Sequence, residues 1–282
     1  MAARESALAG LRVLELGDEQ GAYCGKLLAD MGAEVLRIEP PGGVEERLRA
    51  PFWAGQPGRD RSLRFLYYNT SKKSIELDLE AAQGRDVLRD LLSEADVLVT
   101  TWSLDRLSSI ACAEADLRRV NPGLIVSAIT GFGQFGPHSQ FSSSDLVACA
   151  MSGAMEVIGY AEDPPVRLAG AQSFVVAGNL AAICILVALR HRSRSGRGQC
   201  IDISLQEAML SASSISGVGK WLEDGIVPQR FGTALFAAVP SGLYPCRDGS
   251  IYLIINRPRH WQALASWVAP VSYTHLTLPT SA

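Results

Sequence analysis

The chain is 282 residues long, 48 % hydrophobic and 20 % charged, with 26 basic and 29 acidic side chains and a net charge of −3. Those proportions exclude a disordered chain, which combines low hydrophobicity with high net charge, and they give no basic footprint for nucleic acid. The length suits one large domain or two modest ones, at roughly 100–200 residues each. Few aromatics (7 %) and 26 glycines favour an α/β architecture over a β-sandwich.

Residues 11–16 read as a strand ending at Gly17-Asp18, residues 22–31 as a helix, and residues 34–39 as a second strand. A β-α-β unit of this kind makes parallel strands with a right-handed crossover. Residues 44–66, with Pro51, Gly55, Pro57 and Gly58, read as an irregular excursion. Residues 74–79 alternate polar and apolar, the period of a half-buried strand. A helix at 81–93, a strand at 96–99, a short helix at 116–120 stopped by Asn121-Pro122-Gly123, and a strand at 124–129 follow. Strands alternating with helices predict a doubly wound parallel sheet, Rossmann-like, with ligands outside the carboxyl ends of its strands. The dinucleotide fingerprint G-x-G-x-x-G is absent after the first strand, where Gly17-Asp18-Glu19-Gln20-Gly21-Ala22 stands. That disfavours an ordinary NAD enzyme.

Residues 145–153 and 173–192 are helical patterns with almost no charge, expected to be buried all round. The arginine-rich end at Arg190, Arg192, Arg194 and Arg197 suits a solvated helix C-terminus. Residues 201–205 read as a strand, 206–214 as a helix, 242–255 as a hairpin turning at Asp248-Gly249, and 261–268 as the start of a further helix. The expected organisation is a large domain at 1–205, a linker and the start of a second, smaller domain at 206–270, and a foreign tail at 271–282.

The first residues, Met1 to Ser6, carry no apolar core of a signal peptide. The longest apolar stretch, 175–189, falls short of the about 20 residues that a spanning helix needs, so no membrane is expected. The six cysteines, Cys24, Cys112, Cys149, Cys184, Cys200 and Cys246, form no C-x-x-C pair. They predict no zinc, small buried thiols and a reducing cytoplasm.

A set of segments in fixed order resembles the class III acyl-CoA transferase family, the CaiB/BaiF type. They are residues 8–16, residues 27–43 with Asp30-Met31-Gly32-Ala33-Glu34, and residues 69–79 with Asn69-Thr70-Ser71-Lys72-Lys73-Ser74. After them come Ala95-Asp96-Val97, Gly131-Phe132-Gly133-Gln134, Ser195-Gly196-Arg197-Gly198-Gln199 with Ile201-Asp202-Ile203, and Asp248-Gly249. The resemblance covers about residues 8–268. It implies CoA transfer between an acyl-CoA and a free carboxylic acid, with coenzyme A as substrate and no permanently bound cofactor or metal. It further implies an interlocked homodimer or a heteromer. An aspartate would attack the thioester and hold the acyl group as a mixed anhydride, splitting one hard step into easier ones.

For the CoA site the resemblance implies Gln20 and Gly21 in the loop after the first strand, Lys72 and Lys73 near the phosphates, and Arg106 near the diphosphate. Each lysine competes with a plain reading as a solvated loop residue. At the nucleophile position stands Phe174, and no carboxylate occurs from Val166 through Gln199. Asp145 is the remaining acid in that part of the chain, with a helix N-cap as its plain reading. Ser144 stands where racemase relatives carry a histidine, which disfavours racemisation, and His138 reads as a loop residue. The family's polyglycine loop has no counterpart near residues 230–236. The alternative function is therefore a non-catalytic CoA-binding partner subunit, or the inactive half of a two-part enzyme. Residues 271–280 match the translation of a transposase sequencing adapter, and the native part is expected to correspond to the front of a longer family chain.

Overall fold

The structure is a computed structural model that describes residues 6–110, 112–213, 217–234 and 239–268. The expected foreign tail at 271–282 lies outside the described residues. The chain divides into two compact units.

The first unit is built on a six-stranded sheet of order β3-β2-β1-β4-β5-β6, parallel throughout. Its strands are β1 (Arg12–Leu16), β2 (Glu34–Glu39), β3 (Lys73–Glu76), β4 (Val97–Thr100), β5 (Ile125–Thr130) and β6 (Cys200–Ser204). Both faces are covered at the centre of the sheet, which is why β4 (Val97–Thr100) and β5 (Ile125–Thr130) are almost wholly apolar and buried. Val13, Val97, Val99 and Ile125 face one cluster together with Leu28 and Ile185. Their strand neighbours Leu14, Leu98 and Val126 face the other, with Leu88, Leu92, Leu107 and Leu117. Each such fully buried side chain contributes about 1.5–3 kcal/mol relative to exposure.

Helix α1 (Glu19–Asp30) starts at Asp18, whose carboxylate accepts from the Gln20 amide at 3.0 Å. In the excursion after β2, a 3₁₀ turn at Glu45–Leu48 and helix α2 (Leu63–Tyr68) bring more order than the sequence suggests. The strand expected at 74–79 ends at Glu76. Asp78 instead makes a side-chain turn, accepting from the Glu80 amide at 3.0 Å, and releases the chain towards α3 (Ala82–Glu94). Helices α4 (Leu104–Ser109) and α5 (Glu114–Val120) flank β4 and β5 on the same face as α3. On the other face lie α6 (Asp145–Met151), α7 (Gln172–Ser195) and α8 (Leu205–Ser213).

At 24 residues α7 is longer than its apolar core suggests, and by length and composition alone it could cross a membrane. It lies instead on α1 and the sheet, burying Ala177, Gly178, Ala181, Ile185 and Ala188. A Cβ at Gly178 would stand 3.0 Å from the Cys24 amide nitrogen, so glycine lets the two helices approach. The expectation that α7 is buried all round fails on its far side, where Ile183 is 58 % and Val187 65 % exposed. The helix stops at Gly196 in the left-handed region, φ +70°.

The second unit contains Met155–Val166 and the described residues from 217 onward. It holds α9 (Val218–Asp224), the antiparallel hairpin β7 (Ser241–Cys246) and β8 (Gly249–Ile254), and α10 (Pro258–Val268). Arg230 ties its parts together by pairing with Glu156 at 3.0 Å. The boundary expected at 205/206 thus falls later. Leu205, Ala208 and Met209 bury α8 in the first unit, and residues 155–166 group with the second.

Candidate active site

The carboxyl ends of β1, β2, β4 and β5 open into a cavity of about 890 Å³ in the first unit. Its walls are the β1–α1 turn (Gly17, Asp18, Gln20), the end of β2 with Glu39 and Pro40, the segment 77–80, and Thr101, Trp102 and Arg106 after β4. The β1–α1 turn requires glycine at its first position. Gly17 has φ +131°, and a Cβ there would fall 2.1 Å from Thr101 Oγ1. That hydroxyl accepts instead from the Asp18 amide at 3.0 Å.

Arg106 lies over the Trp102 indole, its guanidinium carbon 3.8 Å from the ring centroid. It has no ion pair among the described residues. The contact therefore holds a planar, always-charged fork open to the cavity, a geometry suited to phosphate oxygens. Gln134 fixes the neighbouring backbone. Its side chain accepts from the Leu104 amide at 2.8 Å and donates to the Trp102 carbonyl at 3.3 Å, while its own amide donates to Asp202 at 2.9 Å. The Gly-Phe-Gly-Gln and Ile-Asp-Ile segments of the sequence thus meet behind the cavity. The other lining cation, Arg49, is engaged with Glu19 at 2.8 Å.

Glu39 supports the β2 wall. Its carboxylate, 1 % exposed, takes two hydrogen bonds from Arg47 at 2.7 Å and one from the Val44 amide at 3.2 Å. Burial pushes its carboxyl up, but the Arg47 and Val44 hydrogen bonds and the Arg47 and Arg37 charges outweigh it and hold the group below the usual range. Glu19 behaves oppositely. Burial pushes it up, and Arg64 and Arg49 only partly compensate.

Of the residues expected near CoA, Gln20 and Arg106 line the cavity. The other three do not. Gly21 is buried inside α1, where a Cβ would sit 3.1 Å from the Thr101 methyl, so its role is helix–sheet packing. Lys72 is not at the surface. Its ammonium is 2 % exposed and donates to Glu15 and Ala22 O at 2.8 Å and to Asn69 at 2.9 Å. Lys73 pairs with Glu34 at 2.6 Å at the amino end of β3, away from the cavity.

Asp145 and Phe174 form a separate place at the start of α7. Asp145 is 6 % exposed. Its Oδ1 accepts from the Ser173 amide at 3.0 Å and the Ser173 hydroxyl at 2.8 Å, and Oδ2 faces Arg167 at 3.4 Å. It is not the N-cap of its own helix. Ser144 is, accepting from the Val147 amide at 3.3 Å. Asp145 caps α7 from outside, since Ala171 has no side chain to do so. Burial and then the Asp145 charge push the neighbouring Cys149 thiol up to about 11. The Phe174 ring is 7 % exposed and belongs to the core cluster with Cys24 and Ala177. It offers no atom for acyl transfer. His138 packs between Phe132 and Phe141 in a loop. Residues 235–236 of the segment compared with the polyglycine loop lie outside the described residues.

A family model described as CoA-transferase family III matches residues 8–275. The chain belongs to CoA-transferase family III. It is 33 % identical over 261 residues to the BbsE subunit of succinyl-CoA:(R)-benzylsuccinate CoA-transferase from Thauera aromatica, covering 91 % of this chain and 62 % of that protein. It is 34 % identical over 263 residues to a succinyl-CoA:mesaconate CoA-transferase from Haloarcula hispanica, covering 92 % and 66 %. A crystal structure of a CaiB/BaiF family protein from Brucella suis superposes with a TM-score of 0.83 at 29 % identity, covering 94 % of this chain and 70 % of that one. The family III chain thus spans a little under two thirds of the length of these curated relatives.

Proposed function

We propose that this family III chain serves CoA transfer between an acyl-CoA and a free carboxylic acid, with CoA held in the cavity at the carboxyl ends of the strands. The observation that carries this reading is Arg106. It is a guanidinium without an ion pair among the described residues, set over Trp102, in the cavity where a doubly wound sheet takes its ligand. The two similar proteins are a succinyl-CoA:(R)-benzylsuccinate and a succinyl-CoA:mesaconate CoA-transferase; benzylsuccinate and mesaconate are dicarboxylic acids, and a dicarboxylic partner acid is the class proposed for this chain. The free, scattered cysteines support a reducing, cytoplasmic compartment. The exposed side of α7 at Ile183 and Val187 supports assembly with a second chain.

Phe174 favours a second reading, in which the chain binds CoA but the nucleophile belongs to a partner chain. An anhydride needs a carboxylate oxygen at the thioester carbon. Phe174 has none, and Asp145 has Oδ1 committed to Ser173 and Oδ2 facing Arg167. That one similar protein is a named subunit agrees with this reading. The test is hydroxylamine trapping after addition of succinyl-CoA. An adduct on an aspartate or glutamate of this chain supports a self-sufficient transferase. CoA binding without an adduct supports the partner reading. Absence of CoA binding removes both.

A further inference from the structure

The β1–α1 turn that walls the cavity is held from beneath by two buried cations on one carboxylate. Glu15 and Arg37 are side-by-side partners on β1 and β2, and Arg37 Nη1 donates to Glu15 Oε1. Lys72 Nζ donates to the other oxygen, Oε2, at 2.8 Å. One cation then reaches the turn and the other the start of α1. Arg37 Nη2 donates to the Gly17 carbonyl at 3.3 Å, and Lys72 Nζ donates to the Ala22 carbonyl at 2.8 Å. Gly25 makes the room, because a Cβ there would stand 1.7 Å from Glu15 Oε2. All three side chains are 2–3 % exposed.

Stability alone is a weak account of this cluster. Two cations share one carboxylate, and Arg37 Nε is buried without a hydrogen-bond partner among the described residues. Well-packed apolar side chains of similar volume often match or exceed the stability of such a set. What they cannot do is hold the Gly17 carbonyl in the turn and the Ala22 carbonyl at the start of α1, between which Asp18 and Gln20 face the cavity.

We propose that Glu15, Arg37 and Lys72 are positioning residues that fix the β1–α1 turn in the shape that receives CoA. This rests on the CoA reading of the cavity. Lys72 thereby acts on the ligand through the turn rather than by touching a phosphate.

The test compares Glu15→Gln with the apolar triple variant Glu15→Leu/Arg37→Met/Lys72→Met, in the full chain. Three readouts are taken: thermal midpoint, CoA affinity by calorimetry, and amide hydrogen exchange of the ligand-free protein. Glu15→Gln is expected to lower both midpoint and affinity. The triple variant is expected to recover the midpoint while binding CoA at least about tenfold more weakly, with faster exchange at the Asp18, Glu19 and Gln20 amides. A triple variant with unchanged CoA affinity overturns the proposal. If the unaltered chain binds no CoA, the CoA reading fails by itself. Exchange at the turn then decides the positioning claim, which unchanged exchange in the triple variant overturns.

Discussion

Asp145 separates two accounts of the start of α7, and its removal has a calculable effect. Asp145→Ala deletes the acceptor for the Ser173 amide and hydroxyl, both buried. Hydrogen bonds to charged groups contribute about 1.5–3 kcal/mol each, and unpaired buried donors carry a similar cost. A negative charge at the N-terminus of a long helix adds up to about 2 kcal/mol in partly buried geometry. The Arg167 contact adds little, because that side chain is half exposed and the pair is screened. Allowing for overlap, the loss is about 3 kcal/mol. At about 2–4 °C per kcal/mol for a unit of this size, the thermal midpoint falls by about 6–12 °C. Asp145→Asn keeps an oxygen facing Ser173 and loses only the charge, so about 1 kcal/mol and about 2–4 °C are expected. Ser144→Ala removes the cap of α6 and costs about 1 kcal/mol. Thermal melts of the three variants are the assay. A Ser144→Ala effect larger than that of Asp145→Ala, or an Asp145→Ala shift under about 2 °C, would refute the assignment of Asp145 as the external cap of α7.

Phe174→Asp should destabilise the chain, since removing a buried phenyl costs about 3–5 kcal/mol, yet place a carboxylate at the nucleophile position. With succinyl-CoA and hydroxylamine, mass spectrometry is expected to find an adduct at residue 174 that the unaltered chain lacks; CoA binding without that adduct contradicts the assignment of the position. Glu39 is expected to give acid-sensitive stability. Its folded carboxyl titrates below its unfolded value of about 4.3, so its contribution is fully present above that value and is lost as the pH falls through the folded one. The stability gap between the unaltered chain and Glu39→Gln should therefore shrink on acidification from pH 7, and a gap that stays constant down to pH 3 would show that the Arg47 pairing does not stabilise the carboxylate.

The sheet was legible because its alternation is physical. In β1, β4 and β5 successive apolar residues serve two different cores, and that leaves short, largely apolar stretches bounded by turn residues, interrupted at Glu15 and Ser127. Lys72 shows where such reading stops. A lysine in a polar segment before a strand looks solvated, and only the fold reveals that Glu15, two strands away, turns it inward. Lys73 is exposed as expected, but parallel strand direction puts it at the wrong end of β3. Asp145 reads as the cap of the helix it begins, but its carboxylate caps α7, because sequence shows the helix that follows an acid and not the second helix lying across it. Arg106, which the family resemblance sets near the CoA diphosphate, lines the cavity together with Gln20. Its contact with Trp102 follows from the fold and not from spacing, since Trp102 precedes the α4 cap Ser103.

CoA occupying the cavity at the carboxyl ends of the strands, against Arg106, is the central claim. Calorimetric titration of CoA into the unaltered chain and into Arg106→Ala measures this. Saturable binding is expected for the unaltered chain. Loss of a charge-assisted phosphate contact of about 1.5–3 kcal/mol should weaken the variant at least about tenfold, with its thermal midpoint little changed because the Arg106 guanidinium makes no ion pair among the described residues. No binding by the unaltered chain, or equal affinity in the two proteins, would contradict it.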